Sequence, residues 1–375
     1  MVQPFRNAAG GRIDRKRPLT FSFDGRTLQG YAGDTLASAL LANGVRLVGR
    51  SFKYHRPRGI FSAGAEEPNA LVRLRAGGRT EPNLRATQVE LFDGLEAQSQ
   101  NRWPSLGFDL GAINGMFSRF MPAGFYYKTF LRPAWAWPFY ERLIRKAAGM
   151  GRAGIDPDPD RYDHRFAHCD VLVVGGGPAG LSAAGAAATG SGLRVILADE
   201  NAELGGTLLG SSGQIDGMAA PDWAAARVTA LRNNPSATVL ARTVAFGYYD
   251  DNLVALCERV ADHLPEPPPH CPRQRIWLVR ARQVVLATGA IERPLVFAGN
   301  DRPGVMLASA AARYVNQFAV RPGARAVVFT NNDSAYAAAA DLARGGVAVA
   351  AIVDARPRPG ADAQATADAA RITIH

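Results

Sequence analysis

Alternating apolar and polar positions open the ordered part of the chain. Leu19, Phe21 and Phe23 alternate with polar residues, Asp24-Gly25 turns, and Leu28 and Tyr31 return, which predicts a hairpin over residues 18–31. The period then changes. In LASALLANG the apolar residues follow helical spacing, with Asp34 as the expected N-cap and Gly44 as the expected C-terminal stop. Residues 69–75 and 87–91 read as further strands, and residues 1–17, polar and basic, as a loose arm. Aromatic residues crowd residues 101–150, including Trp103, Phe108, Phe117, Phe120, Phe125, Tyr126, Tyr127, Phe130, Trp135, Trp137, Phe139 and Tyr140. Pro122, Pro133 and Pro138 are expected to break any long helix there. This stretch is either a subunit interface with aromatic anchors or a connector that buries them against its own chain. GRAGIDPDPDRY, residues 151–162, is a linker and marks a boundary.

Beyond it the pattern becomes α/β. Val171 to Val174 is an apolar run followed at once by Gly175-Gly176-Gly177-Pro178-Ala179-Gly180 and a small-residue helical stretch. The spacing is G-x-G-x-x-G. Gly175 makes the turn, Gly177 lets a pyrophosphate approach the backbone, and Gly180 lets helix and strand pack. The pyrophosphate would sit on free amides at the helix N-terminus, where the dipole favours negative charge. A second β-run, residues 193–198, ends in Asp199-Glu200-Asn201, at the separation where an acidic side chain meets a ribose hydroxyl. Gly205-Gly206-Thr207 forms a second flexible turn, and VVLATGA, residues 284–290, returns to the same place. A carboxylate at Asp199 repels a 2′-phosphate and so favours NAD over NADP. Further on, helices are expected over 221–231, 305–315 and 336–344. Strands are expected over 238–249 (a pair), 252–260, 276–279, 283–287, 325–329 and 347–353. The turn at 330–334 lacks glycine and contains Asp333, which argues against a second pyrophosphate cradle.

The fold class read from this order is a small β-grasp, ferredoxin-like α+β domain followed by a Rossmann-like FAD/NAD(P)-binding α/β fold of the glutathione-reductase type. The expected domains are 1–100 (β-grasp), 101–165 (aromatic connector and linker) and 166–375 (dinucleotide-binding, with a C-terminal end that reads as truncated). In ferredoxins of the plant type, cysteines after the first helix hold an iron–sulfur cluster. Here no cysteine precedes Cys169, so this domain is expected to be a clusterless scaffold.

Composition changes little. A net charge of +10 permits nucleic-acid or anionic-membrane binding, yet lysine occurs only four times and the excess is scattered arginine, so neither partner is expected. The one basic cluster is Arg46, Arg50, Lys53, His55, Arg56 and Arg58. Cys169, Cys257 and Cys271 lack metal or C-x-x-C spacing. No apolar run reaches the roughly 20 residues of a membrane span, and no signal core opens the chain, so a cytoplasmic location is expected. Neither a catalytic pair nor a metal site stands out.

GDTLASALLANGVRLVGRSFKYHRPRGI, AGFYYKTF, VGGGPAG, LADENAELGGTLL, FGYYDDN, RQVVLATGAIERPLVFAGNDRPGVM and VVFTNNDSAY together resemble the α subunit of heterotetrameric sarcosine oxidases, from about residue 18 to about residue 355. Opine oxidases and bacterial proline dehydrogenases share parts of the pattern. The resemblance implies oxidation of sarcosine to glycine, with electrons passing through flavins to oxygen. It implies partners: a β-type flavoprotein subunit carrying FAD, and smaller subunits. It places FMN between α and β, NAD on this chain, and tetrahydrofolate only in a C-terminal half that this chain lacks. Carried over, the NAD site comprises Gly175, Gly177, Pro178, Ala179, Gly180, Asp199, Glu200, Asn201, Gly206, Thr207, Val244, Ala287, Thr288 and Gly289. Arg50, Lys53 and Arg56 become candidates to face the FMN phosphate. Disulfide reductases of this general fold place a redox cysteine after the second glycine turn; here Leu208 and Leu209 stand there, which excludes thiol chemistry at that place. A free-standing FAD- or NAD-dependent reductase and a non-catalytic scaffold are the alternatives. The first needs a complete second nucleotide domain.

Overall fold

The computed structural model describes residues 3–120, 124, 132–147, 149, 151–190 and 192–375. The hairpin is β1 (Asp14–Phe23) and β2 (Arg26–Ala32), followed by α1 (Leu36–Ala42). Strands β3 (Leu71–Leu74), β4 (Glu81–Arg85) and β5 (Leu95–Ser99) complete a five-stranded sheet of order β2-β1-β5-β3-β4. β1 and β5 run parallel at its centre, which is the β-grasp arrangement. Every residue of α1 is buried against this sheet.

The cap of α1 differs from expectation. Thr35, not Asp34, is the N-cap, in a reciprocal capping box with Ser38. The Asp34 carboxylate is instead buried and accepts from Arg6 (3.0 and 2.6 Å), the Tyr31 amide and the Ser38 hydroxyl. Arg6 also donates to the Phe318 carbonyl at 2.6 Å, so the N-terminal segment is pinned rather than loose. Residues 87–91 are not a strand. Their backbone serves α1: Val89 accepts from the Leu36 amide, and the Leu91 amide donates to Asp34. The strands there are β4 and β5, and β5 alternates buried and exposed positions along its length.

The second sheet contains β6 (Tyr162–Val174), β7 (Val195–Ala198), β8 (Ala237–Leu240), β9 (Thr243–Tyr249), β10 (Leu253–Glu258) and β11 (Gln274–Leu286), in the order β8-β7-β6-β11-β10-β9. The first four are parallel, and β11-β10-β9 is an antiparallel meander. β11 is one continuous strand where two short ones were expected. β6 begins at Tyr162, so the chain enters the sheet directly from the linker, and His164 and His168 stand exposed on this strand. Among the helices flanking this sheet are α3 (Pro178–Gly190) and α4 (Ala220–Arg232), after the connector helix α2 (Trp137–Ala147). Leu181 and Ala184 of α3 and Trp223 and Val228 of α4 close one face of the sheet over Val171, Val173 and Leu197.

Helix α5 (Ala308–Phe318) joins the β-grasp core to the C-terminal part of the chain. Ala310, Tyr314 and Phe318 enter the β-grasp core, and the Tyr314 hydroxyl donates to the Ser62 carbonyl at 2.8 Å. Its other face packs on a third unit, the parallel pair β12 (Arg325–Thr330) and β13 (Ala348–Asp354) with α6 (Ser334–Arg344) and α7 (Ala361–Ala369). Helix α7 had no counterpart in the sequence reading.

In the aromatic stretch, Phe125, Tyr126, Tyr127, Phe130 and Pro122 lie outside the described residues. Trp103 (65% exposed), Phe120 (79%) and Trp135 (83%) face solvent, together with Phe108, Phe117 and Phe139. These side chains are not buried against their own chain. Pro138 stands in the first turn of α2 and starts that helix instead of breaking one.

Candidate functional site

β6 ends in the glycine turn. Gly175 has φ +105°, and a Cβ there would lie 2.7 Å from the Ala287 carbonyl carbon and closer still to its oxygen. A Cβ on Gly180 would lie 2.9 Å from the Gly175 carbonyl carbon and overlap its oxygen. These two glycines bring β6, β11 and the first turn of α3 together. α3 starts at Pro178, carries no acidic residue in its first turn, and so presents the positive end of its dipole unopposed by a carboxylate of that turn. Gly177 has open space where a side chain would be; its one neighbour within reach is the Cα of Gly206 at 4.0 Å. Gly206, at φ +55°, faces Gly177, and the Gly205 amide donates to the Gly176 carbonyl at 2.8 Å. The two glycine turns therefore lie against each other with main chain uncovered, which is what a pyrophosphate cradle requires.

The acidic residues divide their work. Asp199 is buried, and its carboxylate accepts from the Gly176 amide (2.6 Å), the Asn201 amide (2.8 Å) and the Asn201 side chain (3.0 Å). It braces the turn from behind. Glu200 lines a cavity of about 140 Å³ beside the β-grasp sheet, with Asn201, Gln88, Arg259 and Arg313 among its walls. Burial and then the charge of Asp199 raise the Glu200 pKa, while Arg259 and a hydrogen bond from Gln88 pull it down. Thr243, next to Val244 on β9, donates its amide to the Asp199 carbonyl at 2.7 Å and holds that strand behind the acidic loop. The Ala287 amide donates to Val174, and Thr288 and Gly289 continue exposed past the end of β11. Thr207 is exposed on a 3-10 turn, Gly206–Gly210. Gly175, Gly177, Pro178, Ala179, Gly180, Asp199, Glu200, Asn201, Gly206, Thr207, Ala287, Thr288 and Gly289 thus gather beyond the carboxyl ends of β6, β7 and β11, with Val244 just behind, where α/β sheets bind nucleotides.

Several neighbours escaped the sequence reading. Gln88 and Glu90 of the β-grasp domain, Arg12 of the N-terminal segment, and Arg242 and Arg259 all hold the acidic loop. No local motif marks them.

The basic cluster turns inward. Arg50 donates to the carbonyls of Leu106 (3.0 Å) and His55 (3.1 Å), His55 pairs with Asp109 at 2.7 Å, and Arg56 and Arg58 meet Asp301. Cys169 is buried, and its thiol is pushed up to about 11 by burial and then by Asp170. A thiol so placed is protonated at neutral pH. Iodoacetamide at pH 8 is therefore expected to leave Cys169 unmodified in the folded chain; alkylation before unfolding would contradict this burial.

Residues 16–102 match the model of a 2Fe-2S iron–sulfur cluster binding domain, and residues 169–373 match that of the pyridine nucleotide-disulphide oxidoreductases. The first match describes a fold whose ligands are missing, because a cluster of this kind needs thiolates and residues 16–102 contain no cysteine. Iron and acid-labile sulfide are expected to be absent from the purified chain; about one cluster per chain would overturn the assignment. The second match has the glycine cradle it needs.

Among proteins of known name, the chain is 56% identical over 362 residues to the sarcosine oxidase subunit alpha of Rhizobium meliloti (strain 1021), covering 96% of this chain and 37% of that one. It is 43% identical to the sarcosine oxidase subunit alpha of Corynebacterium sp. (strain U-96), covering 96% and 33%. The chain thus spans about a third of the length of these relatives. Among solved structures, L-proline dehydrogenase from P. horikoshii superposes with a TM-score of 0.60 at 22% identity, covering 94% of this chain and 56% of that one, a likeness of fold. The chain belongs to the pyridine nucleotide-disulphide oxidoreductase family, and over 96% of its length it resembles the α subunit of sarcosine oxidase.

Proposed function

We propose that this chain is the NAD-binding part of the α subunit of a multi-subunit sarcosine oxidase. The observation that carries the reading is the pair of apposed glycine turns, Gly175–Gly177 and Gly205–Gly206, with Gly177 uncovered and Asp199 bracing the turn from behind. The similarity to two named α subunits supports the choice of complex. The uncovered amides of the glycine turns and the start of α3 bind the pyrophosphate. Glu200 and Asn201 face the adenosine ribose, Thr207 the phosphates, and the Val244 main chain the adenine. Ala287, Thr288 and Gly289 close the pocket. A carboxylate in the ribose position favours NAD over NADP.

Amine oxidation belongs to the flavins of a β-type partner, which take up the electrons of the substrate and pass them to oxygen. This chain supplies nucleotide binding and a docking face. The solvent-facing aromatics of residues 101–139 suit such a face, since buried aromatic anchors dominate interfaces. An FMN shared with the partner would lie against the basic segment that carries Arg50, Lys53 and Arg56, with the Arg50 donors held by the carbonyls of Leu106 and His55. We assign residues 1–100 to the β-grasp domain, 101–165 to the connector and 166–375 to the dinucleotide domain, in a cytoplasmic protein; among the described residues no helix is long and apolar enough to cross a membrane. Reconstitution tests the reading. The chain alone is expected to give no sarcosine turnover, and the full-length α subunit with its β-type partner to give it. Robust turnover by this chain alone would remove the partner requirement.

A further inference from the structure

The β-grasp domain has no cysteines to hold a cluster, yet it and the N-terminal segment are tied to the acidic loop at the end of β7, and to Arg242 beside that loop, by three side-chain pairs. Arg12 meets Glu203. Glu90 takes two hydrogen bonds from Arg242, at 2.5 and 2.7 Å, and the Arg242 amide donates to the Asn201 carbonyl at 2.9 Å. The Gln88 side-chain amide donates to Glu200 Oε2 at 3.0 Å. Arg259 completes the last pair, reaching both the Gln88 carbonyl (3.1 Å) and the Glu200 carbonyl. Gln88 is therefore fixed through its main chain by one partner while its side chain is free to hold another. Among the described residues, this is the one hydrogen bond made to the Glu200 carboxylate.

We propose that Gln88 is a positioning residue of the nucleotide site, reaching across from the β-grasp domain to fix the Glu200 carboxylate for the adenosine ribose. The inference rests on the nucleotide reading above and extends it to a lobe that the glycine motif does not include. The physical argument is conformational. A glutamate side chain has three torsions, and ordering it costs conformational entropy. A carboxylate that must accept from two vicinal hydroxyls needs its plane set beforehand. Anchoring Oε2 through Gln88 sets that plane and leaves Oε1 for the ligand. Asp199 is committed to the turn, its Oδ2 accepting from the Gly176 amide and its Oδ1 from Asn201. The clusterless β-grasp domain thereby has a role in nucleotide recognition beyond that of a spacer.

The test is NAD affinity in nucleotide-stripped full-length protein for wild type, Gln88→Met, Glu200→Ala and the double variant. Gln88→Met keeps the length of the side chain and leaves the main-chain contact with Arg259 in place. It is expected to weaken NAD binding roughly tenfold or more, the effect of losing a hydrogen bond to a charged acceptor. Glu200→Ala is expected to weaken binding at least as much, and adding Gln88→Met to it is expected to change nothing further. Equal NAD affinity in Gln88→Met and wild type would overturn the proposal while leaving the nucleotide reading intact. Full additivity of the two losses would also overturn it, since a merely structural residue acts independently of Glu200. A wild-type protein that binds no NAD would remove the nucleotide reading, and this proposal with it.

Discussion

Replacing Gly180 with alanine is expected to abolish nucleotide retention and to lower stability by about 3 kcal/mol, the upper end of the usual cost of overpacking. The added methyl would overlap the Gly175 carbonyl oxygen and come within 3.4 Å of the Ala287 Cβ. The first obstacle is backbone, and it belongs to the turn that cradles the pyrophosphate. α3 cannot yield without moving its first turn off β6, so one substitution strikes packing and ligand together. Gly185 on the same helix supplies the control. Nothing lies within 4 Å of a Cβ there, and alanine is the better helix former by roughly 1 kcal/mol. Gly185→Ala is expected to retain nucleotide and to be as stable as wild type or more so. Urea unfolding with nucleotide analysis of the same samples checks both. Normal nucleotide content and stability in Gly180→Ala would contradict the strand–turn–helix geometry.

The second large effect lies where the β-grasp sheet meets the nucleotide domain. Arg273, just before β11 and 1% exposed, faces Asp262 at 2.7 Å, Glu81 of β4 at 2.5 Å and Asp160 of the linker at 3.5 Å. Arg79 also reaches Asp160, at 2.9 Å. Removing one partner of a buried ion pair strands the others without compensation. Arg273→Met is expected to cost about 3 kcal/mol, the lower end of the range for such losses, because Glu81 and Asp262 retain some solvent. Neutralising the carboxylates as well, with Glu81→Gln, Asp160→Asn and Asp262→Asn, is expected to recover most of the loss. A cost below about 1 kcal/mol for Arg273→Met alone would place the lobe contact elsewhere.

The sequence showed what is local. The hairpin, α1, the glycine turns and the strands around them are written in short-range periodicity and in residues that tolerate unusual backbone, so their places could be read directly. The pair of glycine turns was legible for the same reason, since Gly175, Gly177 and Gly180 are five positions apart at most. What escaped depends on distant partners. Arg6 reads as a solvated cation until Asp34 and the carbonyl of Phe318 enclose it. Arg50 looked available for a phosphate, yet its donors face carbonyls at Leu106 and His55. Residues 87–91 have strand-like composition, but their hydrogen bonds go to the start of α1 and to Asp34. Asp199 and Glu200 were alike as sequence, and only the fold shows one bracing the turn and the other lining a cavity. The part played by Gln88 and Arg259 had no signal at all, because it exists only where two separately encoded lobes meet.

The measurement that bears most directly on the account is the identity of the nucleotide carried by the purified protein. The chain is to be denatured after extensive dialysis, and the released small molecules identified and quantified by mass spectrometry against protein concentration. The account predicts NAD, near one per chain in wild type and lost in Gly180→Ala. Stoichiometric FAD released from this chain by itself, with no NAD, would contradict it.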